Sequence, residues 1–103
     1  MSSGAFVAVL VIELHFPDAG SLKAKRRELS SIKAQLRTRL GVTVAETAHH
    51  DLWQRATLTA ALTGGSLAHL SEAVDEVQRW ILARCPEGAS VERLVASVED
   101  LRG

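Results

Sequence analysis

The sequence predicts an α+β fold, a two-layer sandwich built in the order β-α-β-β-α-β. Three observations lead there. Two stretches carry apolar residues at helical spacing, and four short stretches are apolar or alternating in the manner of strands. The two helical stretches also flank a close pair of those strands, which is the split β-α-β pattern.

Phe6 to Leu14 is short, β-branched and nearly all apolar, so it reads as a central strand with both faces at least partly covered. Pro17 and Gly20 mark a loop, and Ser21 is a helix N-cap. Leu22, Leu29, Ile32, Leu36 and Leu40 then form one helical stripe, closed by Gly41 as a C-cap glycine. Val42 to Thr47 alternates as a half-buried strand, and Ala56 to Thr63 alternates again after a polar loop, so the two form a hairpin. Gly64-Gly65 turns the chain and Ser66 caps a second helix, whose stripe is Leu67, Leu70, Val74, Val77 and Ile81. Cys85-Pro86-Glu87-Gly88 stops it, and Val91 to Val98 is the last strand.

Right-handed crossovers favour an antiparallel four-stranded sheet of order 4-1-3-2 with both helices on one face, the ferredoxin-like arrangement. Leu10, Ile12, Leu29, Ile32, Leu36, Leu58, Leu70, Val74 and Val77 are its expected core. Val7, Val9, Val11, Thr57, Thr59 and Ala61 face the other way. An apolar or small face of this kind is unusual in water, so a homodimer through it is expected.

The length of 103 residues suits one domain, and 47% hydrophobic with 23% charged residues suits a globular one. The lone Cys85 has no partner for an internal disulfide, as in a reducing cytosol. Phe6 to Ile12 is too short to span a membrane, and Met1-Ser2-Ser3-Gly4 lacks the basic start of a signal peptide. These features predict a cytoplasmic protein without a membrane partner.

Twelve bases balance twelve acids, yet unevenly. Residues 21–40 carry seven bases against Glu28, a local +6, whereas residues 66–103 carry a local −3. Lys23, Arg26, Arg27, Lys33 and Arg37 occupy one arc of the first helix beside its Leu stripe, and Lys25 belongs to the same segment. One reading is a phosphate-tracking face for RNA or another polyanion. The other is a solvated face whose bases pair with acids of the second helix.

The topology gathers His15, the start of the first helix, the hairpin loop and Cys85-Pro86 at one rim. His15, Glu46, His49, His50, Asp51, Trp53 and Arg55 are the candidate rim cluster. His49, His50 and Asp51 are metal-ligand types, but adjacent ligands without a second spaced pair read as a polar surface loop. Trp53 reads as a lid over the end of the core, or else as a stacking platform. Glu46 continues the core-facing row of Val42 and Val44, so it needs a partner, and a histidine or the loop backbone is expected. Glu13 and Arg55 are expected as a cross-strand ion pair.

No phosphate-binding glycine loop, nucleophile elbow or activated cysteine is present, and no cofactor or catalytic residue is assigned. Strand aromatics for stacking RNA bases are absent apart from Phe6, so RNA contact would fall to the first helix and the rim.

Two stretches carry a resemblance: Ser21-Leu22-Lys23-Ala24-Lys25-Arg26-Arg27, and Val44-Ala45-Glu46 through Asp51-Leu52-Trp53-Gln54-Arg55-Ala56 to Leu58. They resemble the YlxP-like family of small bacterial proteins of unknown function, over nearly the whole chain. The resemblance implies a ferredoxin-like fold and, from the frequent gene neighbourhood of translation-initiation and ribosome-maturation factors, an RNA- or ribosome-linked role. It supplies no catalytic residues.

The leading expectation is thus a non-enzymatic binding protein for RNA or the ribosome, acting through the basic helix and the hairpin rim. The alternative is a small-ligand or protein-interaction module that dimerises through the open sheet face. A third reading is a metal-dependent hydrolase or nuclease using Glu46, His49, His50 and Asp51.

Overall fold

The computed structural model describes residues 4–103. The Met1-Ser2-Ser3 start, read above as lacking a signal-peptide basic region, lies outside the described residues. The elements are β1 (Phe6–His15), α1 (Leu22–Leu40), β2 (Thr43–Ala48), β3 (Arg55–Gly64), α2 (Leu67–Arg84), β4 (Ala89–Ser97) and α3 (Val98–Arg102). The sheet order is β2-β3-β1-β4, antiparallel throughout, which is the ferredoxin-like order anticipated from the other edge.

β1 pairs with β3 and β4 along almost its whole length, Phe6 opposite Gly64 and Ser97, Leu14 opposite Ala56 and Ala89. Its even-numbered side chains Ala8, Leu10, Ile12 and Leu14 are buried beneath the helices, while Val7, Val9 and Val11 look to the open face. From α1 come Leu29, Ile32 and Leu36; from α2, Leu70, Val74, Val77 and Ile81. All nine expected core residues are buried.

Both helices start where their caps dictate. Ser21 accepts from the Ala24 amide at 3.0 Å and Ser66 from the His69 amide at 3.1 Å. Gly41 sits at φ +66°, the left-handed conformation that ends α1 and lets the Val42 amide reach back to the Leu36 carbonyl. β4 ends earlier than its apolar pattern predicts, because Val98 opens α3 instead. The reason is a reciprocal cap in which Ser97 and Asp100 satisfy each other's backbone amides. That Ser-x-x-Asp spacing was present in the sequence and is the signal that would have revealed α3.

Truncating a core leucine should separate sharply from truncating a surface one. Leu58→Ala removes a fully buried side chain opposite Ile12 and Glu46 and should cost about 2–5 kcal/mol in urea unfolding. Leu82→Ala, on the exposed side of α2, should stay within about 0.5 kcal/mol of the parent.

Candidate functional site

Lys25 stands out among the charged residues. It was grouped with the phosphate-facing bases, but only 1% of its surface is exposed. Its place on the helix is the reason: at 100° per residue it lies within the Leu29, Ile32, Leu36 stripe, so it points into the end of the core. There its Nζ donates to the His49 carbonyl at 2.6 Å and lies 3.2 Å from Glu46 Oε2. Glu46 therefore takes an ammonium as its partner, not a histidine. The contact is an ion pair rather than an aligned hydrogen bond, since Oε2 has no hydrogen-bond partner in the described structure.

β2 and β3 aim these groups. Val44 lies opposite Ala60 and Glu46 opposite Leu58, so Glu46 continues the core-facing row. A bulge between Glu46 and Ala48 then shifts the register. His49 follows at φ +63°, a left-handed conformation uncommon outside glycine, and its carbonyl also accepts from the Leu52 amide at 3.1 Å. One backbone oxygen thus closes the loop and receives the buried lysine.

The rim is joined elsewhere by backbone. The Phe16 amide donates to Gln54 O at 2.9 Å, Gln54 Nε2 donates to Pro17 O at 3.2 Å, and the His15 amide donates to Gly88 O at 3.0 Å. His15 faces Arg55 across β1 and β3. Arg55 lies 3.9 Å from Glu13, whose carboxylate accepts from the Thr57 hydroxyl at 2.9 Å. His50 Nε2 contacts the Glu46 carbonyl at 3.2 Å, and Asp51 is exposed. Among the described residues no three His, Cys, Asp or Glu side chains gather as a metal ion would need. Trp53 is not a lid: 53% of it is exposed, next to an exposed Leu52. The bulge and the tight turn carry the loop past the core's end, so the indole lies outside it.

The bases of α1 divide by their angle on the helix. Arg37 reaches sideways to donate to the Val44 carbonyl at 2.9 Å, covering part of the outer edge of β2. Lys23, Arg26 and Arg27 are exposed and Lys33 half-buried. None of these four has a carboxylate partner among the described residues. The one ion pair between the helices runs the other way, from Arg84 of α2 to Glu28 of α1 at 2.8 Å. Asp75 of α2 instead holds Arg93 of β4 at 2.6 Å. Pairing of the α1 bases with α2 acids is therefore not how this surface is built.

Between the start of α1 and the end of α2 lies a cleft of about 360 Å³, lined by His15, Phe16, Lys25, Glu28, Arg84 and Cys85 among others. Two of its charges, Glu28 and Arg84, pair with each other, and Lys25 is held from outside the cleft by Glu46. Burial pushes the Cys85 thiol up; Arg84 opposes this and Glu28 adds to it.

Two outcomes follow. Lys25→Met strands the Glu46 carboxylate and should destabilise by about 3–5 kcal/mol, with Lys25→Met/Glu46→Gln recovering much of the loss in a double-mutant cycle. Because a raised thiol pKa leaves less thiolate at neutral pH, native Cys85 should react with iodoacetamide far more slowly than the unfolded chain does.

Residues 7–98 match the family model described as "Protein of unknown function (DUF503)". The chain is 32% identical over 82 residues to the protein named "Uncharacterized protein YlxP" of Bacillus subtilis (strain 168), covering 80% of this chain and 85% of that one. Among solved structures it is similar to the de novo designed protein Foldit4, with a TM-score of 0.55 at 14% identity, covering 90% of this chain and 97% of the other. A second designed protein, LFR1 1, whose name specifies a ferredoxin fold, superposes with a TM-score of 0.41 at 13% identity, covering 89% and 85% of the two chains. With the family model spanning β1 through the start of α3, this chain belongs to the DUF503 family of proteins of unknown function.

Proposed function

We propose that this protein is a non-enzymatic binding module for a polyanion, an RNA backbone on the ribosome or in a free transcript. Its docking surface is Lys23, Arg26, Arg27 and Lys33 on α1, with Arg37 at the border of β2. The observation that carries this reading is the position of unpaired positive charge. Lys23, Arg26 and Arg27 occupy the first two turns of α1, whose first turn contains no acid. Bases at a helix N-terminus oppose the helix dipole and cost stability. Their charge adds instead to the positive potential of that end, which attracts anions. A residue choice that breaks a local rule without a structural partner points to a partner outside the chain.

The exposed loop adds a second, separate element to this reading. Lys25 anchors the loop to α1, and Trp53 presents an exposed indole beside Arg55 on which an unpaired base can stack. Sequence-tolerant binding is the expected mode, because backbone phosphates and one stacking ring carry little base information. No helix among the described residues is long and apolar enough to cross a membrane.

Fluorescence anisotropy with a labelled single-stranded RNA tests this. Affinity should fall steeply with salt, and Lys23→Glu/Arg26→Glu/Lys33→Glu should remove binding while the thermal melt is retained. Milder Ala replacements at the same three sites should flatten the logarithmic salt slope by about 2, at roughly 0.7 per phosphate on a single strand. Trp53→Ala should cost about 1–3 kcal/mol of binding and little stability. RNA and ribosome binding unchanged by the triple reversal would reduce the basic arc to a solvated helix face.

A further inference from the structure

The two edges of the sheet are treated differently. On β2 the carbonyls of Val44 and Glu46 accept from Arg37 and His50, and a bulge interrupts the strand. These are the devices that keep an edge from pairing with another chain. β4 has none of them. It is nine residues long, contains no proline, and runs beside β1 without a register shift. Its Leu94 and Val95 are 50% and 48% exposed. Arg93 does not guard the edge, since Asp75 and Gln78 hold its guanidinium over α2.

The pairing parity shows which backbone groups β4 leaves open. The His15 amide donates to Gly88 O, and the Val98 amide to Ala5 O, at the two ends of one unbroken ladder. Hydrogen-bonded pairs therefore fall at Ser90, Glu92, Leu94 and Ala96, and the amides and carbonyls of Val91, Arg93 and Val95 point outward.

We infer that β4 pairs antiparallel with β4 of a second copy about a two-fold axis at Leu94, joining two four-stranded sheets into one. An outward-facing antiparallel edge is self-complementary under a two-fold, because each donor meets the partner's acceptor. The side chains select the register. A two-fold at Glu92 sets carboxylate against carboxylate, and one at Arg93 sets guanidinium against guanidinium. Centres at Val91 or Val95 keep only five residues of each strand in register. A two-fold at Leu94 pairs leucine with leucine and keeps residues 91–97. It sets Glu92 against Ala96 and Arg93 against Val95, with no like charges opposed. Pairing of β4 with β2 of another copy would join the acidic and basic flanks, but Arg37, His50 and the bulge obstruct it.

This inference is independent of polyanion binding, and its test reads mass and cross-linking only. Sedimentation of the full chain should give twice the monomer mass. Val95→Pro removes an outward amide that the β1 ladder does not use, so it should give folded monomer by circular dichroism. Leu94→Cys in a Cys85→Ser background should form an intermolecular disulfide under mild oxidation. A non-hydrogen-bonded pair sets the two Cα atoms about 4.5 Å apart, within the roughly 4.4–6.8 Å that a disulfide spans. Glu92→Cys in the same background should not cross-link, because the two sites would lie roughly 13 Å apart along the strands. A monomeric parent chain at high protein concentration would overturn the inference. So would a dimer that lacks the Leu94→Cys cross-link, or one that survives Val95→Pro but dissolves on Val9→Lys, which would mean that the copies meet through the open sheet face. If Val95→Pro fails to fold, the cross-linking pair decides alone.

Discussion

A lysine ammonium buried at the end of the core fixes how α1 meets the β2–β3 hairpin. Taking that charge out of water is costly unless it is met by opposite charge and by hydrogen bonds. Lys25 obtains one of each, from Glu46 and from the His49 carbonyl. Both partners belong to the same short stretch of chain, so satisfying the lysine sets the rotation of α1 and the path of the loop together. His49 takes a left-handed backbone conformation where that path turns. The Leu stripe alone would allow α1 to slide or roll by part of a turn at small cost; a buried ion pair with one solution does not.

That rotation places the remaining bases. With Lys25 turned inward, Arg26, Lys33 and Arg37 fall on the side of the helix toward β2, and Lys23 and Arg27 fall further toward solvent. No acid of the second helix pairs with them among the described residues: Asp75 is engaged with β4, and Glu28 and Arg84 bridge the helices. A chain with no net charge thus carries a positive flank over one sheet edge, balanced by a net-negative segment over residues 66–103. Screening at physiological salt confines the influence of each to about 8 Å, so the two surfaces act separately instead of cancelling.

The same asymmetry extends to the backbone. The basic flank protects β2, because Arg37 uses part of its hydrogen-bonding capacity on the edge. β4 receives no such cover, and its two exposed apolar side chains alternate across the strand, one on each face. Edge protection and charge placement are therefore coupled through α1, which lies over one edge only.

Much of this was determined by local sequence, and the physical reason is periodicity. Apolar residues at helical or strand spacing, serine caps before each helix and Gly41 after α1 specify the elements and their faces without reference to the rest of the chain. The identity of the unpaired bases could be read in part, because angle on a helix follows directly from residue number. The roles of Lys25, Glu46 and Trp53 could not. Lys25 looks like its neighbours in a basic run, and only its angular agreement with Leu29, Ile32 and Leu36 hints that it turns inward. Its partners lie 21 and 24 residues further along the chain and meet it only after α1 has packed across the hairpin. Trp53 was decided by a one-residue bulge, whose effect on direction is invisible until the strands pair. Local propensity determined which elements form; long-range charge satisfaction in the closed fold decided which side chains stay buried and which remain in solvent.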